Sequence, residues 1–253
     1  MDITSNIETV YLFLFGISIL ASFIDSIAGG GGLLTTPSML LVGINPLTVL
    51  GTNKFQSSFS TFTSSRNYYA NGYLTDIHRN KYFILSFIGS SAGTLMVSRL
   101  SDEILRTLIP ILLITVAVFF IINRQVKTDL SNYIVLLTPL IFLIGFYDGF
   151  FGPGTGSFFV MLFLVFKNQS LLESTATSKL LNFASNFAAF IIFAVQGFVM
   201  WELGLIMAVG GIGGAYLGSK SAIKVGDKLI RPILVIVSIL LSLRILTLSL
   251  IHI

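Results

Sequence analysis

Of the chain's 253 residues, 54% are hydrophobic and only 10% are charged, whereas a soluble domain carries roughly 25% charged residues; a chain with so little polar surface cannot face water all round and reads as an integral membrane protein. Its net charge of +4 is spread over short loops, which fits membrane orientation and argues against nucleic-acid binding. With no cysteine, it has no disulfide framework, thiol nucleophile or cysteine metal site.

Apolar runs lie at about 10 to 28, 33 to 43, 45 to 70, 82 to 98, 104 to 122, 133 to 151, 157 to 166, 175 to 198, 203 to 219 and 229 to 251. Most are long enough to cross a bilayer as helices, which takes roughly 17 to 25 residues; those at 33 to 43 and 157 to 166 are too short. The opening MDITSNIETV has no lysine or arginine, and no small-residue cleavage pattern follows, so a removable signal is not expected.

The first run breaks at FIDSIAGGGGLLTTP, 23 to 37, where Asp25 stands four residues ahead of Gly29, Gly30, Gly31 and Gly32. Unpaired backbone groups are tolerated at membrane depth only where they are buried in protein or line a polar cavity, and transporters built from repeats use such broken helices to hold substrate. The glycines permit a reversal and close approach to a ligand. A helix starting near Gly32 would aim free amides and its positive dipole end at an anion.

The next helix carries Thr52, Asn53 and Lys54, the lysine roughly 12 to 14 Å along it. A charge at that depth faces a cavity or a partner, so Lys54 reads as substrate-facing, with an ion pair to Asp25 or Asp148 as the alternative. Beyond it Gln56, Ser57, Ser58, Ser60, Thr61, Thr63, Ser64 and Ser65 form either packing glue between helices or the polar wall of a pathway. GSSAG at 89 to 93 follows, a close-packing or dimerisation pattern that also makes a homodimer possible.

The second half repeats these features. FYDGFFGPGTGSFF, 146 to 159, sets Asp148 before Gly152, Gly154 and Gly156, with Pro153 suited to a loop or first helical turn and Thr155 and Ser157 offering hydroxyls. Thr177, Ser178 and Lys179 answer Thr52, Asn53 and Lys54, while the polar wall shrinks to Asn182, Ser185 and Asn186, and GAYLG at 214 to 218 answers GSSAG. An offset of 125 pairs Lys54 with Lys179, Gly72 with Gly197, Gly93 with Gly218 and Arg106 with Arg231; an offset of 123 pairs Asp25 with Asp148. The expected architecture is a single all-α polytopic membrane domain, 1 to 253, holding repeats at about 8 to 124 and 131 to 251. Each repeat is a glycine-broken re-entrant or short helix pair followed by three transmembrane helices, about 8 to 10 hydrophobic segments in all.

Three crossings per half, an odd number, make the repeats inverted. That arrangement puts HRNK at 78 to 81, NRQVK at 123 to 127, KN at 167 to 168 and KSAIKVGDK at 220 to 228 on one face, the cytoplasmic one by their charge. The SRLSDE loop and both termini then lie outside. Trp201 and Tyr73, near helix ends, read as interface anchors, and His78 and His252 lack the partners of a metal site.

The duplicated D-x-x-x-G breaks and the TNK and TSK helices resemble the sulfite exporter TauE/SafE family, also called the four-toluene-sulfonate uptake permease family, over residues 8 to 250, in its bacterial inner-membrane branch. The resemblance implies secondary transport, as export or uptake, of a small organic or sulfur-containing anion such as sulfite, a sulfonate or sulfoacetate, coupled to an ion gradient. It maps the family's glycine motif onto Gly29 to Gly32 with Pro37, and its second copy onto Gly152, Gly154 and Gly156, where Pro153 and Thr155 interrupt the run. The substrate-binding candidates are therefore Gly29, Gly30, Gly31, Gly32, Thr35, Thr52, Asn53, Lys54, Gly152, Gly154, Thr155, Gly156, Ser157, Thr177, Ser178 and Lys179, with Asp25 and Asp148 as coupling or structural groups. No cofactor or catalytic residue is expected: the sequence contains neither a nucleotide-binding P-loop nor H-E-x-x-H. An anion channel with the same site is the alternative, and a non-transporting membrane subunit a further one.

Overall fold

The computed structural model describes residues 7 to 122 and 130 to 226. The apolar run at 229 to 251, the loop at 123 to 127, Asp227, Arg231, His252 and the extreme termini lie outside the described residues.

Within them the chain is helical: α1 (Ile7–Ala28), α2 (Gly32–Leu41), α3 (Pro46–Ala70), α4 (Arg79–Val97), α5 (Asp102–Ile122), α6 (Leu137–Phe150, entered through a 3-10 turn at Ser131–Leu136), α7 (Thr155–Lys167), α8 (Leu171–Val195) and α9 (Trp201–Val225). Four described segments are long and apolar enough to cross a membrane, Ile7–Ala28, Ser131–Phe150, Leu171–Val195 and Trp201–Val225, and α2 and α7 are shorter apolar helices. The 25 residues of α3 are also long enough, but α3 carries its polar side chains inward. Thr52, Asn53, Lys54, Gln56, Ser58, Ser60, Thr61, Ser64 and Ser65 are all buried in the protein. Several of these hydroxyls donate back to the carbonyl four residues earlier, as Ser58 does to Lys54 and Thr61 to Ser57, which satisfies them without a partner helix.

Glycine decides which helices touch. A Cβ on Gly89 or Gly93 would meet the carbonyls of Phe142 and Phe146, so α4 lies directly on α6; one on Gly214 or Gly218 would meet those of Ile19 and Phe23, so α9 lies directly on α1. Both GxxxG pairs are thus used inside the chain. Residues 79 to 97 map to 204 to 222 by the 125-residue offset, so these two contacts are counterparts, as are the α3–α9 and α8–α4 contacts.

The broken helix pairs fold back on themselves. Val10 and Tyr11 at the start of α1 pack in one cluster with Met39, Val42 and Ile44 at the end of α2, and the Leu130 amide, just before α6, donates to Val165 near the end of α7 (3.0 Å). Loops gather in two groups. Asn45 meets Arg106 and Ser98 meets Gln196; Asp76 meets Lys167 and Gln169, and Thr75 meets Glu173.

Candidate functional site

The two breaks meet. Gly29 (φ 84°) turns the chain after α1, and a Cβ there would strike the Ser157 amide; Gly32 packs against Pro153, and the Ser157 hydroxyl donates to the Ala28 carbonyl (2.8 Å). In the second break Gly152 (φ 99°) leaves no room for a side chain either, since a Cβ would stand 2.7 Å from Lys54 Nζ. Only glycine combines positive φ with such close approach.

Each break leaves the start of a helix open. The Gly29 amide is closed by the Asp25 carbonyl and the Gly31 amide by Asp25 Oδ1 (3.0 Å), while Thr155 is closed by Gly152 through both its amide and its hydroxyl. The amides of Gly30, Gly32, Gly154 and Gly156 find no acceptor among the described residues. All four glycines line one cavity. Two helix N-termini with unpaired donors therefore border the same space.

The charged residues cross between the halves. Lys54 Nζ lies 2.9 Å from Asp148 Oδ1, with both side chains 2% exposed. Lys179 Nζ lies 2.9 Å from Asp25 Oδ2, the lysine fully buried and the aspartate 14% exposed. Two cations face two anions, so the cavity carries no net side-chain charge. The two carboxylates differ: both oxygens of Asp25 are engaged, by Lys179 and by the Gly31 amide, whereas Asp148 Oδ2 is buried without a hydrogen-bond partner.

Of the residues singled out in the sequence, Gly30, Gly31, Gly32, Asn53, Lys54, Gly152, Gly154, Thr155, Gly156, Asp25 and Asp148 line the cavity. The others stand behind it. Gly29 makes the turn, the Thr35 hydroxyl donates to Asn53 Oδ1 (2.6 Å) and the Ser178 hydroxyl to the Gly156 carbonyl (2.7 Å), and Thr52 accepts from the Met200 amide. Ser157 ties the breaks together, Thr177 is buried with an unpartnered hydroxyl, and Lys179, outside the lining, lies behind Gly156 and pairs with Asp25.

Of the polar side chains of α3, Gln56, Ser57, Ser60 and Thr61 line the cavity, and so do Asn182 and Asn186 of α8. Ser57 and Thr61 correspond to Asn182 and Asn186 by the 125-residue offset, which was the available signal for adding the two asparagines to the site. Ser22 of α1, also in the lining, gave no such signal. Among the described residues no group of three or more His, Asp or Glu side chains could hold a metal ion.

Residues 14–245 match the sulfite exporter TauE/SafE family. The chain is 42% identical to a protein of Sinorhizobium sp named "Probable membrane transporter protein ORF9", over 92% of this chain and 91% of that one. It is 37% identical to "Probable membrane transporter protein YfcA" of Escherichia coli, over 92% and 88%, and 36% identical to a "Probable membrane transporter protein" of Haemophilus influenzae, over 96% and 95%. No solved structure matches the chain.

Proposed function

The chain belongs to the sulfite exporter TauE/SafE family of membrane transporters, and we propose that it is a secondary transporter of a small organic or sulfur-containing anion, of the sulfite, sulfonate or sulfoacetate kind, driven by an ion gradient. The observation that carries this reading is the pair of open helix N-termini, at Gly32 and at Gly154 to Gly156, bordering one cavity beside Lys54. Unpaired amides at a helix start favour an anion. Asn53, Thr155, Ser57, Thr61, Asn182 and Asn186 complete a lining of hydrogen-bonding groups suited to oxyanion oxygens.

The transporter works as two inverted repeats in a bacterial inner membrane, its termini outside. Three features support this: the exchange-related packing of α1 on α9 and α6 on α4, the folding back of both broken pairs, and the basic residues of the 78 to 81 and 167 to 168 loops. With the carboxylates neutralising both lysines, attraction for the anion comes from the amides and from Lys54 once Asp148 releases it.

Thermal stabilisation of the purified protein by a panel of small anions tests the binding reading. A ligand at about 100 times its Kd raises stability by roughly 2.7 kcal/mol. The informative control is Lys54→Gln combined with Asp148→Asn, which removes the cation without stranding a charge and should abolish the shift. A folded wild-type protein stabilised by no anion would overturn the reading. Uphill accumulation in proteoliposomes under an imposed ion gradient separates a transporter from a channel.

A further inference from the structure

We infer that Asp148 is the proton acceptor of the transport cycle, and that a proton on its Oδ2 and an anion at Lys54 occupy the cavity together. This rests on the anion reading above. Three observations converge on it. The cavity's four charges cancel, so an added anion leaves uncompensated negative charge unless a proton arrives with it. Asp148 is 1% exposed and offers a buried oxygen with no hydrogen-bond partner, whereas Asp25 has neither oxygen free. Asp148 is also the partner of Lys54, the lysine in the cavity lining.

The step balances simply. A proton from the aqueous phase binds Asp148 Oδ2, the carboxyl becomes neutral, the ion pair to Lys54 loses its attraction, and the freed ammonium faces the anion. The site then holds one added positive and one added negative charge. The groups facing Asp148 do not supply a rival acceptor. α3 presents Lys54, α1 presents Asp25 and α8 presents Lys179, already paired to Asp25. Tyr147 on α6 donates its hydroxyl to the Pro153 carbonyl (2.6 Å). α4 turns Ser86, Ser90 and glycines toward α6, its titratable Arg79, Lys81 and Tyr82 lying in its first turn. α7 meets α6 with apolar and small residues, Lys167 closing its far end, and the 3-10 turn carries Tyr133, which is exposed.

Binding linkage is reciprocal: if a proton tightens the anion, the anion tightens the proton. Methanesulfonate is the probe, because its single charge does not titrate alongside a carboxylate. Adding it to the purified full chain in weakly buffered solution should take up about one proton per anion bound, and its affinity should fall roughly tenfold per pH unit on the alkaline limb. Asp148→Asn should bind methanesulfonate with no proton uptake and a flat pH profile, and should exchange it across vesicles while failing to accumulate it in a proton gradient. Binding should also raise a protonated-carboxyl band in the infrared difference spectrum, and Asp148→Glu, which keeps the charge beside Lys54, should keep the uptake while shifting that band, which assigns the proton even if Asp148→Asn does not fold. Binding without proton uptake, or a band that Asp148→Glu leaves unmoved, overturns the assignment while leaving the anion site standing. No methanesulfonate binding at all overturns the sulfonate reading beneath it.

Discussion

At the scale of single residues, a buried ion pair is held by mutual need. Removing one partner leaves an uncompensated charge and costs about 3 to 5 kcal/mol, while replacing both by apolar groups is often neutral or stabilising. Lys54→Ala should therefore lower the melting temperature strongly, and adding Asp148→Leu to Lys54→Met should restore most of the loss; a double variant as unstable as the single would show that the pair is not what binds Lys54. Gly152→Ala should be costly for a different reason, since φ of 99° and Lys54 Nζ at 2.7 Å both oppose a methyl group. The sequence shows that charges at 25, 54, 148 and 179 need partners, because hydrocarbon penalises them. It does not show that each lysine reaches the aspartate of the other half, because periodicity reports only neighbours along one helix. For the same reason Thr52, Thr177 and Ser178 read as site residues on their proximity to the lysines, yet adjacent positions on a helix point some 100° apart, and these three face neighbouring backbone or core instead of the cavity.

At the scale of helices, GxxxG in two corresponding segments was open between packing within the chain and packing between chains, and the structure uses both pairs within it. Gly93→Ala would drive a Cβ into the Phe146 carbonyl, and Gly218→Ala would drive one into the Phe23 carbonyl and the Ser26 hydroxyl. Overpacking of this kind costs about 1 to 3 kcal/mol, so each variant should melt earlier in detergent. Gly213 sits one residue before Gly214 with nothing within 4 Å of its Cβ position; Gly213→Ala should be neutral or raise stability by about 0.5 to 1 kcal/mol, the helical preference for alanine over glycine. A penalty at Gly213 equal to that at Gly218 would mean that α9 packs on another surface, which a second copy of the chain would supply. α3 was legible as an element for the same physical reason that it is unusual. Its serines and threonines answer to their own backbone carbonyls and to the cavity, so its polarity signals an interior helix in a protein whose exterior is lipid.

At the scale of the whole molecule, the decisive relation is which loops share a face. Arg106 with Asn45 and Gln196 with Ser98 bring together the loops after α2, α4 and α8. The loops after α3 and α7 form a second group around Asp76. The α1–α2 pair begins and ends near the first group and the α6–α7 pair near the second, so a membrane between the groups would be entered by the broken pairs from opposite sides. The basic loops at 78 to 81 and 167 to 168 belong to the second group, which the proposed orientation puts in the cytoplasm. Because the chain has no cysteine, single substitutions report cleanly on side. Asn80→Cys and Gln196→Cys place a thiol at exposed positions in opposite groups, and a membrane-impermeant maleimide applied to intact cells should label the second and spare the first until the membrane is opened. Labelling of both from one side would place both loop groups on one face, which helices of this length joining them do not allow. Labelling of Asn80→Cys alone would turn the molecule over, exchanging the sides from which the two helix N-termini approach the cavity.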